Sequence, residues 1–203
     1  MVYTQQKKVS TAIFASGAGT LAESIITFSR RSESSFRVEV ILSNNSGARI
    51  VDVARHNGIP FYHISGVTNP DHKDYVTSMQ SILRQYEVKM IVLAGYMKLI
   101  PSEIVNDNRW LIFNTHPALL PKYGGKGMYG IEVHKKVIEK MEQISGLTVH
   151  RVSEEYDEGE IIYQEYVTVG IDDTAETLEE RIKQVERVVY PQVLHEQAMK
   201  ILY

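Results

Sequence analysis

Short apolar runs alternate with stretches of helical spacing through the first half of the chain. Residues 11–15 (TAIFA), 36–42 (FRVEVIL), 60–64 (PFYHI), 89–94 (KMIVLA) and 110–114 (WLIFN) are brief and rich in apolar residues. Strands buried on both faces read this way, since neither face has to meet water. The intervening stretches 19–30, 48–57, 71–86 and 101–106 read as helices. In the third, Tyr75, Met79, Ile82 and Leu83 fall on one stripe. Gly58 and Pro60 punctuate the second helix and third strand, as residues at a helix C-terminus do. The alternation predicts an α/β fold, a doubly wound, mostly parallel sheet with right-handed crossovers and helices on both faces.

Past Pro117 the pattern changes. Residues 121–130 (PKYGGKGMYG) hold four glycines in ten, too many for the interior of an element, so a long functional loop is expected. Residues 131–141 read as a helix, and 147–153 and 160–169 as two antiparallel strands around the acidic turn 154–159. Asp173 followed by Glu176 gives an N-cap signal for a long C-terminal helix, with Leu178, Ile182 and Val185 on one face. Pro191 is expected to break or kink that helix near Tyr190. No repeat, low-complexity tract or linker interrupts the chain, so residues 1–203 are expected to form a single domain.

Composition narrows the function classes. With 203 residues and 43% hydrophobic content, a core of useful size can be buried without a metal or disulfide staple. The net charge of -3 (22 basic, 25 acidic residues), with no long single-sign run, gives no reason to expect a nucleic acid or an anionic membrane as partner. The absence of cysteine excludes disulfides, Cys-ligated zinc, iron–sulfur clusters and thiol catalysis. The seven histidines show no metal-ligand spacing, so no metal is expected; His134 and His150 read as satisfied structural groups or as groups supporting a neighbouring site. The polar first ten residues lack an apolar signal core, and stretches such as 90–94 are too short to span a bilayer. A cytoplasmic protein is expected.

Three segments can carry chemistry. Ser16-Gly17-Ala18-Gly19-Thr20 follows the first strand and opens the first helix, where free N–H groups attract phosphate. Mononucleotide or sugar-phosphate binding, dinucleotide binding and a plain tight turn all fit it. The dinucleotide reading needs an acid at the end of the second strand, and Glu39 falls mid-strand while the strand ends near Ser43, Asn44 and Asn45. The second segment, Asn114-Thr115-His116-Pro117, ends the fifth strand, where α/β sheets place ligands. There a histidine can exchange protons near neutral pH and an amide can stabilise an oxyanion; a capping Asn and a satisfied surface His fit equally. In the third, the acidic turn 154–159, a carboxylate could orient His116 as a triad acid does, or the turn could simply be solvated. Met97 and Met128 fall in loops near the same strand ends.

Taken in order, SGAGT, AGYMKLIP, FNTHPALLPKYGGKGMYG, GLTVHRVSEEYDEGEII and ERVVYP closely resemble the glycinamide ribonucleotide transformylases (phosphoribosylglycinamide formyltransferases) of the folate-dependent formyltransferase family. The likeness runs from about Thr11 to Pro191. It implies a Rossmann-like formyltransferase fold, with a phosphate- and nucleotide-binding half at about 10–100 and a folate and catalytic half at about 101–203. It also implies transfer of a formyl group from the cosubstrate 10-formyltetrahydrofolate to the amine of glycinamide ribonucleotide, in purine biosynthesis, by a monomer or homodimer. Asn114, His116 and Asp157 match the catalytic trio. Gly19, Thr20 and Leu21 match the phosphate loop, and Glu186 matches the acid at the ribose. Met97, Lys98, Leu99 and Ile100, with Ser153, Glu154, Glu155, Tyr156 and Asp157, match stretches bordering the folate pterin. Thr148 matches a hydroxyl near the catalytic carboxylate that holds water, and Asp157 is expected to raise the His116 pKa. Leu21 replaces the family's usual Asn, and the folate-site arginine has no counterpart, His72 falling nearest.

Other activities share parts of this pattern. Methionyl-tRNA formyltransferase would need a further C-terminal domain and a basic surface, and formyltetrahydrofolate hydrolase an N-terminal regulatory domain. A non-catalytic nucleotide-binding module would not need all three polar positions of the trio.

Overall fold

The computed structural model describes residues 7–203. Its elements, in chain order, are β1 (Val9–Phe14), α1 (Thr20–Ser29), β2 (Phe36–Ser43), α2 (Ile50–Asn57), β3 (Phe61–His63), α3 (His72–Gln85), β4 (Met90–Leu93), α4 (Ser102–Val105), β5 (Leu111–His116), α5 (Ile131–Glu139), β6 (Ile144–Arg151), β7 (Ile161–Thr168) and α6 (Ala175–Leu202). One seven-stranded sheet has the order β3-β2-β1-β4-β5-β6-β7. Pairings from β3 to β5 are parallel, and β6 and β7 add antiparallel. Because β1 lies between β2 and β4, the winding reverses there, and the loops after β1 and β4 are joined through Ser16, whose N–H donates to Gly95 O and whose hydroxyl accepts from Met97 N–H.

Strand alternation divides the core into two layers. Ile13, Ile41, Val92 and Phe113 face α1, α2 and α6, whereas Ala12, Leu42, Ile91 and Ile112 face α3 and α4. Phe113 and Ile112 thereby fix β5: Thr115 follows Phe113 toward α6, and Asn114 and His116 follow Ile112 to the other face.

Three boundaries differ from the sequence reading. The α6 cap is Thr174, whose hydroxyl accepts from Thr177 N–H in a capping box; Asp173 instead pairs with Arg181 at 2.6 Å. Asp173 lies one residue too early, and a strong cation partner claims it. The helix also runs through Pro191 without interruption. An internal proline costs about 3 kcal/mol. Burial of Tyr190, Val193 and Leu194 against the sheet offsets this at about 1.5–3 kcal/mol per side chain. The Tyr190 hydroxyl further donates to Phe113 O at 2.9 Å, tying α6 to β5. Finally, β6 begins at Ile144, three residues before its apolar run, because pairing with β7 continues through Ser145 and Gly146. These weak strand formers conceal the pairing; a Cβ on Gly146 would stand 2.1 Å from Glu165 O.

Candidate active site

A cavity of about 540 Å³ opens at the carboxyl ends of β4 and β5. Asn114, Thr115 and His116 form its floor, the loop 125–130 and α5 form one side, and Glu179, Lys183 and Glu186 of α6 form another. Asp157 reaches it from the β6–β7 connection, which leaves β6 beside Ile112 and Phe113 and turns back along β5 until Asp157 meets His116.

The trio is therefore assembled in space. His116 Nδ1 stands 3.4 Å from Asp157 Oδ2, with both side chains nearly buried. The other Asp157 oxygen lies 3.6 Å from His150 Nε2. His150 donates from Nδ1 to Arg151 O at 2.8 Å, which leaves its Nε2 to accept from the Asn114 amide at 3.2 Å. His150 is thus a satisfied structural group, as expected, and it also orients Asn114. The Gly125 N–H donates to Asp157 Oδ2 at 2.9 Å. Asp157 and Tyr123 both hold positive φ, 59° and 58°, a region that costs an ordinary side chain about 1–2 kcal/mol. Backbone strain of this kind gathers at functional sites.

His116 differs from expectation in two ways. Its Nε2–H donates to Tyr123 O at 2.7 Å, so the glycine-rich loop occupies the group expected to face a substrate. Burial also outweighs Asp157 and the Tyr123 carbonyl, and the imidazole pKa lies below its ordinary value rather than above it. The 3.4 Å separation agrees, being longer than the roughly 2.7–2.9 Å of a charge-assisted bond. The ring is consequently neutral at neutral pH, with its proton on Nε2.

Elsewhere the outcome is mixed. Lys98, Leu99, Ile100, Ser153, Glu155 and Tyr156 line a narrow slot of about 50 Å³ that also touches Asn114 and Asp157. Met97 and Met128 line the larger cavity. Glu154 turns away and accepts from Asn106 Nδ2 at 2.9 Å. His72 pairs with Glu103 on the surface and lines neither space. At Thr148, where a water-holding hydroxyl was expected, protein partners already take up the hydrogen-bonding capacity. Its buried hydroxyl donates to Ala118 O at 2.6 Å and accepts from Leu120 N and Gln164 Nε2, fastening the segment after His116 to β6.

The Gly19–Thr20–Leu21 turn sits past the end of β1, outside the wall of the main cavity. Gly19 caps α1 in the left-handed region, Thr20 is exposed, and the Leu21 side chain is buried in the core with Ile25 and Ile50. Arg49, which the sequence reading missed, donates to Ala18 O at 3.2 Å and pairs with Glu23 at 3.0 Å, so the cation it brings to this turn is shared with an acid.

Glu186 belongs to the cavity, and burial pushes its carboxyl up to about 7. The Thr115 hydroxyl lies close enough to oppose that shift, yet it forms no hydrogen bond of good geometry. His134 also lines the cavity, held down at about 4 by burial; its Nδ1 has no partner, so it is not the satisfied group expected. Thr115 was flanked by two residues already singled out, while His134 and Tyr123 carried no spacing signal. Among the described residues no helix is long and apolar enough to cross a membrane, and no cluster of three or more His, Asp or Glu side chains could hold a metal ion.

A family model described as formyl transferase matches residues 9–194. A chloroplastic phosphoribosylglycinamide formyltransferase of Vigna unguiculata is 39% identical over 198 residues, covering 95% of this chain and 61% of that protein. The chain likewise spans 65% of the Arabidopsis thaliana counterpart, at 37% identity over 94% of its own length. Among solved structures, a phosphoribosylglycinamide formyltransferase from Bacillus halodurans is 34% identical with a TM-score of 0.82, covering 93% of this chain and 94% of that one. A glycinamide ribonucleotide transformylase from Symbiobacterium toebii reaches a TM-score of 0.87 at 31% identity, covering 98% of this chain and 92% of that one. With its sheet order, its strand-end cluster and a match from 9 to 194, the chain belongs to the formyl transferase family.

Proposed function

We propose that this protein transfers the formyl group of 10-formyltetrahydrofolate to the amine of 5'-phosphoribosylglycinamide, yielding formylglycinamide ribonucleotide and tetrahydrofolate in purine biosynthesis. The observation that carries this reading is the cluster of Asn114, His116 and Asp157 at the end of β5, with a cavity on one side and a slot on the other. Two reactants can meet there. The nucleotide would lie along α6, its ribose at Glu186 and its phosphate toward the Gly19–Thr20–Leu21 turn, where the N–H groups of α1 and the Arg49 cation favour an anion. The folate pterin would enter the slot bordered by 98–100 and 153–157. Its walls must part to admit a bicyclic ring, and the exposed Leu99 and Tyr156 are the side chains able to swing.

The chemistry follows from those positions. The glycinamide amine attacks the formyl carbon, and negative charge develops on the formyl oxygen. The Asn114 amide, aimed by His150, and the His116 Nε2–H would donate to that oxygen. His116 can do so while neutral, once the Tyr123 carbonyl yields its place. The attacking amine must lose a proton and the folate nitrogen gain one; Asp157 would relay it through water. Holding both reactants side by side can itself contribute roughly 7–11 kcal/mol.

The test mixes purified protein with 10-formyltetrahydrofolate and glycinamide ribonucleotide and follows the folate product. Product formation is expected only when the nucleotide is present. Equal product without nucleotide would identify a hydrolase, and folate binding without any turnover a binding module; either result overturns the reading.

A further inference from the structure

Charge around the main cavity is unevenly matched. Among its described lining residues are three acids, Asp157, Glu179 and Glu186, and two lysines, Lys126 and Lys183. Burial holds the His116 and His134 imidazoles below their ordinary pKa, so neither adds a positive charge at neutral pH. Lys183 is already paired with Glu179 at 3.0 Å, and Asp157 faces His116 and His150. Lys126 pairs with none of the three acids.

The reaction adds to the imbalance. As the amine nitrogen bonds to the formyl carbon, the C=O electron pair moves onto the formyl oxygen. The two donors offered to that oxygen, the Asn114 amide and the His116 Nε2–H, are both neutral. A charged donor makes a hydrogen bond roughly twice as strong as a neutral one.

Lys126 is placed to supply that charge. Gly125 N–H donates to Asp157 Oδ2 at 2.9 Å, and the same oxygen stands 3.4 Å from His116 Nδ1. The next Cα, that of Lys126, follows at about 3.8 Å along the chain. Its flexible four-carbon stem ends in an ammonium with three donors. The side chain is exposed, and its flanking glycines have open space at their Cβ positions, so no neighbour fixes the ammonium elsewhere.

We propose that Lys126 is a further catalytic residue, whose ammonium donates to the formyl oxygen as negative charge develops there. The inference rests on the formyl-transfer reading above and adds a cation to it. Lys126 gives up no proton. The charge it meets disappears when the folate nitrogen leaves and the C=O bond re-forms. Because the formyl oxygen is uncharged before attack, the contribution falls on kcat rather than on binding.

The experiment measures kcat for the wild type, Lys126→Met, Lys126→Gln and Lys126→Arg. Each reactant is also titrated alone, and each Tm is recorded. Lys126→Met and Lys126→Gln are expected to lower kcat about 100-fold, the scale of one oxyanion partner. Affinity for either reactant should change little. Lys126→Arg keeps a cation and should recover most of the rate. Tm should hold throughout, because the side chain is exposed.

An unchanged kcat in Lys126→Met would overturn the proposal and leave the formyl-transfer reading standing. So would a loss in nucleotide or folate affinity with kcat retained, the mark of a cation that binds the ground state. Equal losses in Lys126→Arg and Lys126→Met would overturn it as well, since the side chain would then act through loop shape and not through charge. A wild type that makes no product overturns the functional reading and the proposal with it.

Discussion

At the end of β1, a Cβ on Gly19 would stand 3.0 Å from Ile50 Cδ1 and 3.1 Å from Val53 Cγ2. In the 121–130 loop, a Cβ on Gly125, Gly127 or Gly130 would meet nothing within 4 Å. Both segments are glycine-rich turns beside the same strand ends, but they differ in what holds them. The first is packed into the core through Leu21 and hydrogen-bonded to its neighbours, with Ile50 N–H donating to Gly17 O. The second touches the site at a few points: Tyr123 O on His116, Gly125 N–H on Asp157, and Gly124, whose Cβ would lie 3.2 Å from Asp157 Cβ and 2.5 Å from Leu120 Cδ2. A turn fixed by its neighbours suits an invariant ligand group such as phosphate. A loop held at the reacting side chains and, through Lys122 and Tyr123, at Glu142, with open space along the rest of its length, can rearrange with the reaction.

The largest expected effect breaks the link between the second loop and the chemistry. Asp157→Asn or His116→Ala should lower turnover by about two to four orders of magnitude, the scale of a positioned acid–base group. Nucleotide affinity should change far less, since the first turn is untouched. Near-normal turnover in Asp157→Asn, in a steady-state assay, would remove it from the mechanism. Next comes Gly124→Ala, whose methyl displaces Asp157; turnover should fall about 10- to 100-fold, the scale of a misplaced reacting group. Gly127→Ala meets no neighbour but must hold a φ of 88°, so it should cost about 1–2 kcal/mol locally and lower turnover much less than Gly124→Ala. Similar losses in both would mean that the loop acts as a whole rather than through its anchor.

Two smaller effects probe the first turn. Leu21→Asn buries an amide in the core and should lower stability by about 1–3 kcal/mol in denaturant unfolding, with no gain in nucleotide affinity. Tighter binding at unchanged stability would show the side chain reaching the ligand. Gly19→Ala should lower stability by about 1–2 kcal/mol through its positive φ, leaving turnover at saturation unchanged. A large turnover loss there would erase the distinction between the two loops.

Much of the fold was legible because its signals are local. Apolar runs marked every strand, and the NTHP segment stood out at the end of β5. What escaped was set by contacts distant in sequence. Thr174 and not Asp173 caps α6 because Arg181 claims the aspartate, and Pro191 is tolerated because the residues around it are buried. The Tyr123 carbonyl on His116 depends on a loop conformation that no periodicity encodes. Glu186 was reached by resemblance alone, and the unpartnered atoms of Thr115 and His134 in the same cavity are revealed only by coordinates.

The last three residues of β5 have a consequence for how the chain can change length. Asn114 and His116 point to one face of the sheet and Thr115 to the other, in register with His150, Thr148 and Val149 of β6. One residue inserted within β5 would exchange the two sets, turning the reactive pair toward α6 and the Thr115 hydroxyl toward the slot. Insertions in the 121–130 loop leave that parity untouched. Drift in length should therefore accumulate in the loop, while the count of residues from β5's first pairing with β4 to His116 stays frozen.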